Sequence, residues 1–302
     1  MRVESGEWRV ENGAPHSLFG MILKEKRGLY TVETARGTVV CKAGSRVRKG
    51  GIRLCAGDKV QLEQNPDGSG FIKAALMRKN ALARPPVANV DVCVIVLSVR
   101  DPAPSLYAVD KLTVMAQSCG IETAAVITKG DLACPGGLVS LYTAAGFRCF
   151  CVSAGKGDTR ELSEYLAGKT SVFAGASGVG KSSLLNALFP RFKAKTGEIS
   201  ERIARGKNTT RHTEFFKVGE NTYIADTPGF SVLDGHRVGV AEKWALAELF
   251  PDFAPFLGEC AFRGCTHLKE QGCAVLRAVS DGTIAQSRHE SYVRLYGEIG
   301  KT

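Results

Sequence analysis

Gly175, Ala176, Ser177, Gly178, Val179, Gly180, Lys181, Ser182 and Ser183 run consecutively and fit the pattern G-x-x-x-x-G-K-[ST]. Glycine-rich backbone can turn several N–H groups toward one point. Placed at a helix N-terminus, such a nest is complementary to phosphate oxygens. In that arrangement Lys181 reaches the terminal phosphates and the Ser182 hydroxyl ligates Mg2+. Asp226-Thr227-Pro228-Gly229 follows 45 residues after Lys181. Asp226, ending an apolar run, would help to hold the Mg2+, and the Gly229 N–H would meet a γ-phosphate.

A second group of residues precedes the first. Thr128-Lys129-Gly130-Asp131 ends one apolar run and Ser153-Ala154 ends another. The Asp131 carboxylate can accept two hydrogen bonds from guanine N1–H and its exocyclic amine, whereas adenine offers no matching pair of donors. Lys129 would lie along the base plane, and the Ala154 N–H would meet the guanine O6. These are the parts of a guanine-nucleotide switch in rotated order, with base recognition ahead of phosphate binding. Thr128 stands where Asn is usual. A hydroxyl replaces one amide hydrogen bond but not two, so modest nucleotide affinity is expected.

Positioning these loops requires a sheet. Four short apolar runs, Cys93 to Ser98, Ala124 to Thr128, Phe147 to Ser153 and Thr170 to Ala174, alternate with helical patterns. That rhythm predicts an α/β fold with a doubly wound parallel sheet, whose ligands bind at the carboxyl ends of the strands. Termini of a domain often lie close together, so a permuted chain can keep the same sheet. Leu184 to Phe189 is expected to be helical.

The flanking regions differ in character. The chain has 302 residues and a net charge of +10, of which +8 falls on residues 1–84. So dense a positive field suits a polyanion and predicts binding that weakens with salt. Five β-prone runs there (Phe19 to Leu23, Tyr30 to Thr34, Thr38 to Lys42, Lys59 to Glu63, Phe71 to Leu76) predict a barrel, of OB or SH3-like type. Asn65 to Gly70 reads as a hairpin turn, Lys24 to Arg27 and Arg46 to Lys49 as basic loops, and Arg84-Pro85-Pro86 as a linker. Domains are expected at 1–84, 85–235 and 236–302.

Near the C-terminus Cys260, Cys265, His267 and Cys273 place three thiols and one imidazole within fourteen residues. That set suits a closed, structural Zn2+ site. Trp244 to Phe253 and Asp281 to Glu298 have helical periodicity, their aromatics forming a core, and a metal would staple so small a region. Ten cysteines without a signal-peptide pattern point to a reducing cytoplasm, and no apolar run is long enough for a membrane span.

Taken in order, the Thr-Lys-Gly-Asp, Ser-Ala, Gly-Ala-Ser-Gly-Val-Gly-Lys-Ser-Ser and Asp-Thr-Pro-Gly-Phe segments and the C-x4-C-x-H-x5-C cluster, behind a basic barrel, resemble the RsgA family (YjeQ or YloQ) over essentially the whole chain. The resemblance implies an N-terminal OB-fold, a circularly permuted GTPase domain and a zinc-binding, mainly helical C-terminal domain. It also implies a partner, the small ribosomal subunit with its rRNA, in late subunit maturation, with GTP hydrolysed to GDP. A monomer is expected. The family's switch His is replaced by Asn208, and neighbouring His212 is the candidate substitute. Thr210 is the switch threonine chosen for Mg2+. Phe230 follows the Asp-Thr-Pro-Gly segment where switch GTPases carry a water-orienting Gln, so hydrolysis is expected to be slow without a partner. The alternative is an RNA-binding module gated by guanine nucleotide, with little or no hydrolysis.

Overall fold

The structure, a computed structural model, describes residues 17–51, 53–83, 85–153, 159–190, 213–226 and 242–299. Among these the chain forms two compact units. One runs to Val90 and takes in residues 213–216; the other runs from Asp91 and includes residues 217–226 and 242–299.

In the first unit β1 (Ser17–Lys26), β2 (Leu29–Thr34), β3 (Gly37–Ala43), β4 (Lys59–Gln64) and β5 (Gly70–Ala75) pair in the order β1-β2-β3-β5-β4. Pairing of β4 back onto β1 closes the barrel. The parallel β3–β5 pair among antiparallel neighbours is the Greek-key crossing of an OB-fold, which resolves the choice between barrel types. Alternation sends Ile22, Val32, Val39, Cys41, Val60, Leu62 and Ile72 into the core. The Asn65–Gly70 turn closes as expected, with Asn65 N–H donating to Ser69 O at 2.7 Å.

Two expectations for this unit fail. Arg46 to Lys49 is not a loop but part of a short helix, α1 (Ser45–Lys49), and Lys24 to Lys26 extends β1. The segment expected as a linker, Arg84-Pro85-Pro86, is not open at its end, because Pro86 begins β7 (Pro86–Ala88), which pairs with β6 (Ala81–Ala83); Arg84 lies outside the described residues. Proline is compatible with this edge position, where no ladder N–H is required. Two buried asparagines fasten the hairpin. Asn80 bonds both Val90 N–H and Val90 O, and Asn89 reaches Gly57 O at 2.8 Å.

The second unit contains β8 (Val92–Ser98), α2 (Leu106–Ser118), β9 (Glu122–Thr128), α3 (Gly136–Ala144), β10 (Arg148–Val152), α4 (Arg160–Leu166), β11 (Thr170–Ala174), α5 (Lys181–Leu188), β12 (Glu214–Gly219, its last three residues in this unit) and β13 (Thr222–Asp226). The order is β10-β9-β8-β11-β13-β12, with β10 through β13 parallel to their neighbours. All seven residues of β8 are buried, as a central parallel strand requires. Central β8 has β9 on one side and β11 on the other. The loops that follow these strands therefore share one edge. No helix among the described residues is long and apolar enough to cross a membrane.

The C-terminal region packs against α2 in this unit. Two 3-10 helices, Lys243–Leu249 and Ala254–Phe256, precede α6 (Ala274–Ser280) and α7 (Gln286–Glu298). The helix expected over Trp244 to Phe253 stops at Leu249, because Pro251 lacks the N–H needed to continue it. Leu246, Phe250, Phe253, Val275, Tyr292 and Leu295 form the core, joined by Val114 of α2.

Through that core runs Arg288, 1% exposed. Its guanidinium grips Asp252 at 2.8 and 3.1 Å and Asp110 of α2 at 2.6 Å, with the Phe250 ring 4.6 Å away. At the rim, Glu298 accepts from Tyr107 at 2.5 Å and from Lys111 at 2.8 Å. Removing one member of a buried ion network strands the rest. Arg288→Ala is expected to lower the unfolding free energy by about 3–5 kcal/mol, as read by urea denaturation. Exposed Arg277→Ala is expected to change it by less than about 0.5 kcal/mol.

A phosphate-loop edge and a candidate metal centre

Four loops meet at the carboxyl edge of the parallel sheet. Buried β11 delivers the chain to Gly175, whose φ of +144° no L side chain adopts readily. A Cβ there would also lie 2.1 Å from Val96 O. Gly178 and Gly180 have φ of +79° and +95°, and Gly180 caps α5. The glycines thus allow both the close approach to β8 and the turn into the helix. Ala176, Ser177, Gly178 and Ser183 are exposed, Ser182 is half-buried in the first turn of α5, and Val179 is buried against the sheet.

The Lys181 ammonium donates to Gly175 O at 2.8 Å and Ala176 O at 2.7 Å, inside the curl of its own loop. Burial pushes its pKa down to about 8. A partly desolvated ammonium facing exposed backbone is poised to receive an anion, which would supply the missing counter-charge.

The Thr-Lys-Gly-Asp segment lies beside this loop. Thr128, 5% exposed at the end of β9, places its hydroxyl 2.5 Å from Val179 O and 3.2 Å from Leu97 O. The single hydroxyl proton goes to the nearer carbonyl, so the Thr128 side chain is spent on the glycine-rich loop. Lys129, at φ +58°, donates its ammonium to the carbonyl of Asp101 in the loop after β8. A Cβ on Gly130 would approach Ser153 Oγ to 3.2 Å, which sets the end of β10 next to the same segment. The Asp131 side chain is exposed to solvent at this edge.

Asp226 ends β13, and the pairing of Val172 with Ala225 sets it level with Phe173, just before Gly175. Ala154, Asn208, Thr210, His212, Gly229 and Phe230 lie outside the described residues. Sequence reasoning missed the loop after β8. Its Asp101 carbonyl takes the Lys129 ammonium, and its Pro102 would lie 3.6 Å from a Cβ on Gly178. Nothing in its composition signals that role.

A separate cluster sits in the C-terminal region. Cys260 Sγ, Cys265 Sγ, His267 Nδ1 and Cys273 Sγ all lie within 4.8 Å of one another, so the four could hold a metal ion. Cys260 Sγ is 3.5 Å and Cys273 Sγ 3.3 Å from His267 Nδ1. Two backbone donors, Ala274 N–H and Leu276 N–H, point at the sulfurs of Cys260 and Cys273, as thiolates bound to a cation require. Burial lowers the pKa of His267, which favours the neutral form that coordinates.

Glu270, which the sequence did not single out, shapes the loop carrying two of these residues. Its carboxylate accepts from Thr266 N–H at 2.9 Å, Leu268 N–H at 2.9 Å and Lys269 N–H at 3.0 Å, and from the Thr266 hydroxyl. Burial works to raise its pKa, but these hydrogen bonds prevail and draw it down to about 2. Tyr292 OH donates to Thr266 O at 2.8 Å, tying the loop to α7.

The contact between Thr128 and Val179 can be tested without any ligand. Thr128→Val keeps shape but deletes the donor, and is expected to cost about 1–3 kcal/mol of stability. Thr128→Ser retains the hydroxyl and is expected to lose less than half as much. Urea denaturation of both variants checks the order.

Comparison with known proteins agrees with this geometry. A family model described as the RsgA GTPase matches residues 75–236, and one for the RsgA N-terminal domain matches residues 19–72. The small ribosomal subunit biogenesis GTPase RsgA of Carboxydothermus hydrogenoformans is 40% identical, over 93% of this chain and 97% of its own length. RsgA 2 of Oceanobacillus iheyensis is 41% identical over 93% of this chain and 97% of its own. The crystal structure of YjeQ from Thermotoga maritima superposes with a TM-score of 0.79 at 34% identity, over 95% of this chain and 99% of that one. That of YloQ, a circularly permuted GTPase, gives 0.79 at 32% identity, over 96% and 98%. The chain belongs to the RsgA family of GTPases.

Proposed function

We propose that this GTPase serves small ribosomal subunit biogenesis, holding GTP at the carboxyl edge of its parallel sheet and hydrolysing it when the subunit engages. The observation that carries the reading is the Thr128–Val179 contact, which sets a guanine-type segment against a phosphate-type loop. Asp131 and Lys129 would select the guanine, with Gly130, Ser153 and Ala154 shaping its pocket. The backbone from Gly175 to Ser183 would enclose the phosphates, and Thr128 would fix the spacing between the two halves.

Lys181 would exchange its two carbonyl partners for phosphate oxygens, neutralising charge that grows as the terminal bond breaks. Ser182, Asp226 and Thr210 would hold Mg2+, which would supply Lewis-acid neutralisation of the developing phosphate charge. Water orientation falls to residues near Asn208 and His212 or to the partner. The boundaries 1–84, 85–235 and 236–302 divide RNA-binding, hydrolytic and zinc-binding roles in this reading. Zn2+ on Cys260, Cys265, His267 and Cys273 would be structural, since four protein ligands leave no open position.

Support for the ribosomal partner comes from the role of the relatives in small ribosomal subunit biogenesis and from the positive charge of the barrel. GTP hydrolysis by the purified chain should rise on the order of 100-fold with small subunits, below the range of an arginine finger. Large subunits should leave it at the basal rate. Equal rates under all three conditions would instead favour a nucleotide-gated RNA-binding module. In the same preparation, emission spectrometry should find zinc stoichiometric with the chain, and Cys273→Ser should lose it together with thermal stability.

A further inference from the structure

The loop after β8, residues 99–105, touches both halves of the nucleotide edge and is pinned at each of its own ends. It leaves the sheet at Ser98, which is fully buried. The Ser98 hydroxyl donates to Pro102 O at 2.7 Å and so folds the loop back over the end of its own strand. Val99 N–H donates to Thr128 O at 3.1 Å, which keeps the first loop residue paired to the base-recognition segment. At the far end the Ser105 hydroxyl accepts from Ala108 N–H at 3.4 Å and caps α2. Between these points Asp101 turns its carbonyl to the Lys129 ammonium, and Pro102 borders Gly178 of the phosphate loop.

The backbone on both sides of the Asp101–Lys129 contact is unusual. Asp101 has a φ of +50° and Lys129 one of +58°. Side chains disfavour this left-handed region, and a residue stays in it only where its surroundings fix it. Arg27 and Asn221 share it, but they sit in the hairpin turns between β1 and β2 and between β12 and β13, where it is ordinary. Asp101 and Lys129 belong to no hairpin. They meet across one hydrogen bond, at the edge where the guanine would lie. A lysine side chain free in water samples many rotamers. Held by Asp101 O, the Lys129 stem is confined to one path. The Asp101 carboxylate takes no part in this, since it lies 3.8 Å from Arg100 in an exposed pair. Ser98 is therefore the side chain that aims the carbonyl.

We propose that Ser98 is a positioning residue for the guanine: through Pro102 it fixes the Asp101 carbonyl, which holds Lys129 along the base plane before the nucleotide arrives. This rests on the guanine reading of Thr128 to Asp131 above and adds to it a further segment, β8 with its loop, that pre-orders the base site. Ser98 itself touches no nucleotide. Ordering a long side chain in advance removes a cost of binding, so losing that order weakens affinity without changing which base is preferred.

Binding of a fluorescent GDP to the full chain tests this. Ser98→Ala should weaken it about fivefold, the share of one uncharged hydrogen bond. Lys129→Met keeps the stem and removes the ammonium. In that background Ser98→Ala should change affinity by less than about twofold, because the group it acts through is gone. The ratio of GDP to IDP affinity, which reports Asp131 and the exocyclic amine, should be the same in the parent and in Ser98→Ala. Lysine acetylation read by mass spectrometry gives a second measure. Lys129 of the nucleotide-free parent should react more slowly than in the urea-unfolded chain, and Ser98→Ala should remove that protection. Should Ser98→Ala not fold, Ser98→Cys, close in size and a weak donor, takes its place.

A loss that persists undiminished in the Lys129→Met background would overturn the proposal, since Ser98 would then act on the fold at large. So would unchanged GDP affinity in Ser98→Ala, or Lys129 of the nucleotide-free parent acetylated as fast as in urea. If the parent binds ADP as tightly as GDP, the guanine reading fails and the proposal with it. If GDP is preferred but the Ser98 variants are silent, only the proposal fails.

Discussion

A hydroxyl-to-carbonyl contact of 2.5 Å joins Thr128 to Val179 across 51 residues of chain. It can form because β9 and β11 flank the same central strand and run the same way. Parallel neighbours deliver their following loops to one edge, whatever the order in which the chain builds them. The rotated order of the motifs is therefore invisible to the chemistry. What matters is that β8 lies between the two, and that Gly175 lacks the side chain that would strike Val96 O. A threonine where an amide is usual keeps one hydrogen bond and directs it at the neighbouring loop rather than at solvent.

The C-terminal region depends on a different kind of bond. Arg288 brings a full positive charge into an aromatic core and meets two carboxylates there, one from its own region and one from α2. Burial drives the pKa of Asp110 upward, and the Arg288 charge and hydrogen bonds oppose it. Such a network contributes less net stability than an apolar core of equal volume would, yet it admits few alternative arrangements. With the Glu298 contacts at the rim, it sets α7 against α2 in one register. His289 on α7 in turn lies 2.7 Å from His267 O, so the same helix holds the backbone of a metal-type residue.

Much of this was legible in the residues alone. Continuous apolar runs identified the buried parallel strands to within two residues, because a strand covered on both faces has no polar side to confuse the pattern. β-prone runs between Gly, Asn and Asp turns placed the five barrel strands, although β1 runs three residues past its expected end. The failures were local. Arg46 to Lys49 looked like a loop because its charges and flanking glycines hid a single helical turn. Pro85-Pro86 looked like a linker because proline marks both linkers and hairpin edges. Arg288, Asp110 and Glu270 could not have been picked out, since each draws its role from partners that tertiary packing supplies. The loop after β8 falls in the same class.

The strand Glu214–Gly219 begins with residues counted in the barrel's unit and ends with residues of the other. Phe215, 1% exposed, lies against Gly57, and Glu214 pairs with Lys24 at 2.8 Å. The polypeptide thus visits the barrel twice, once at the start and again after α5. A fragment ending at Val90 would carry all five barrel strands and still be incomplete. It would expose the apolar seat of a phenylalanine encoded more than a hundred codons downstream. For this chain, gene dissection at the obvious boundary removes a side chain that the barrel's unit buries.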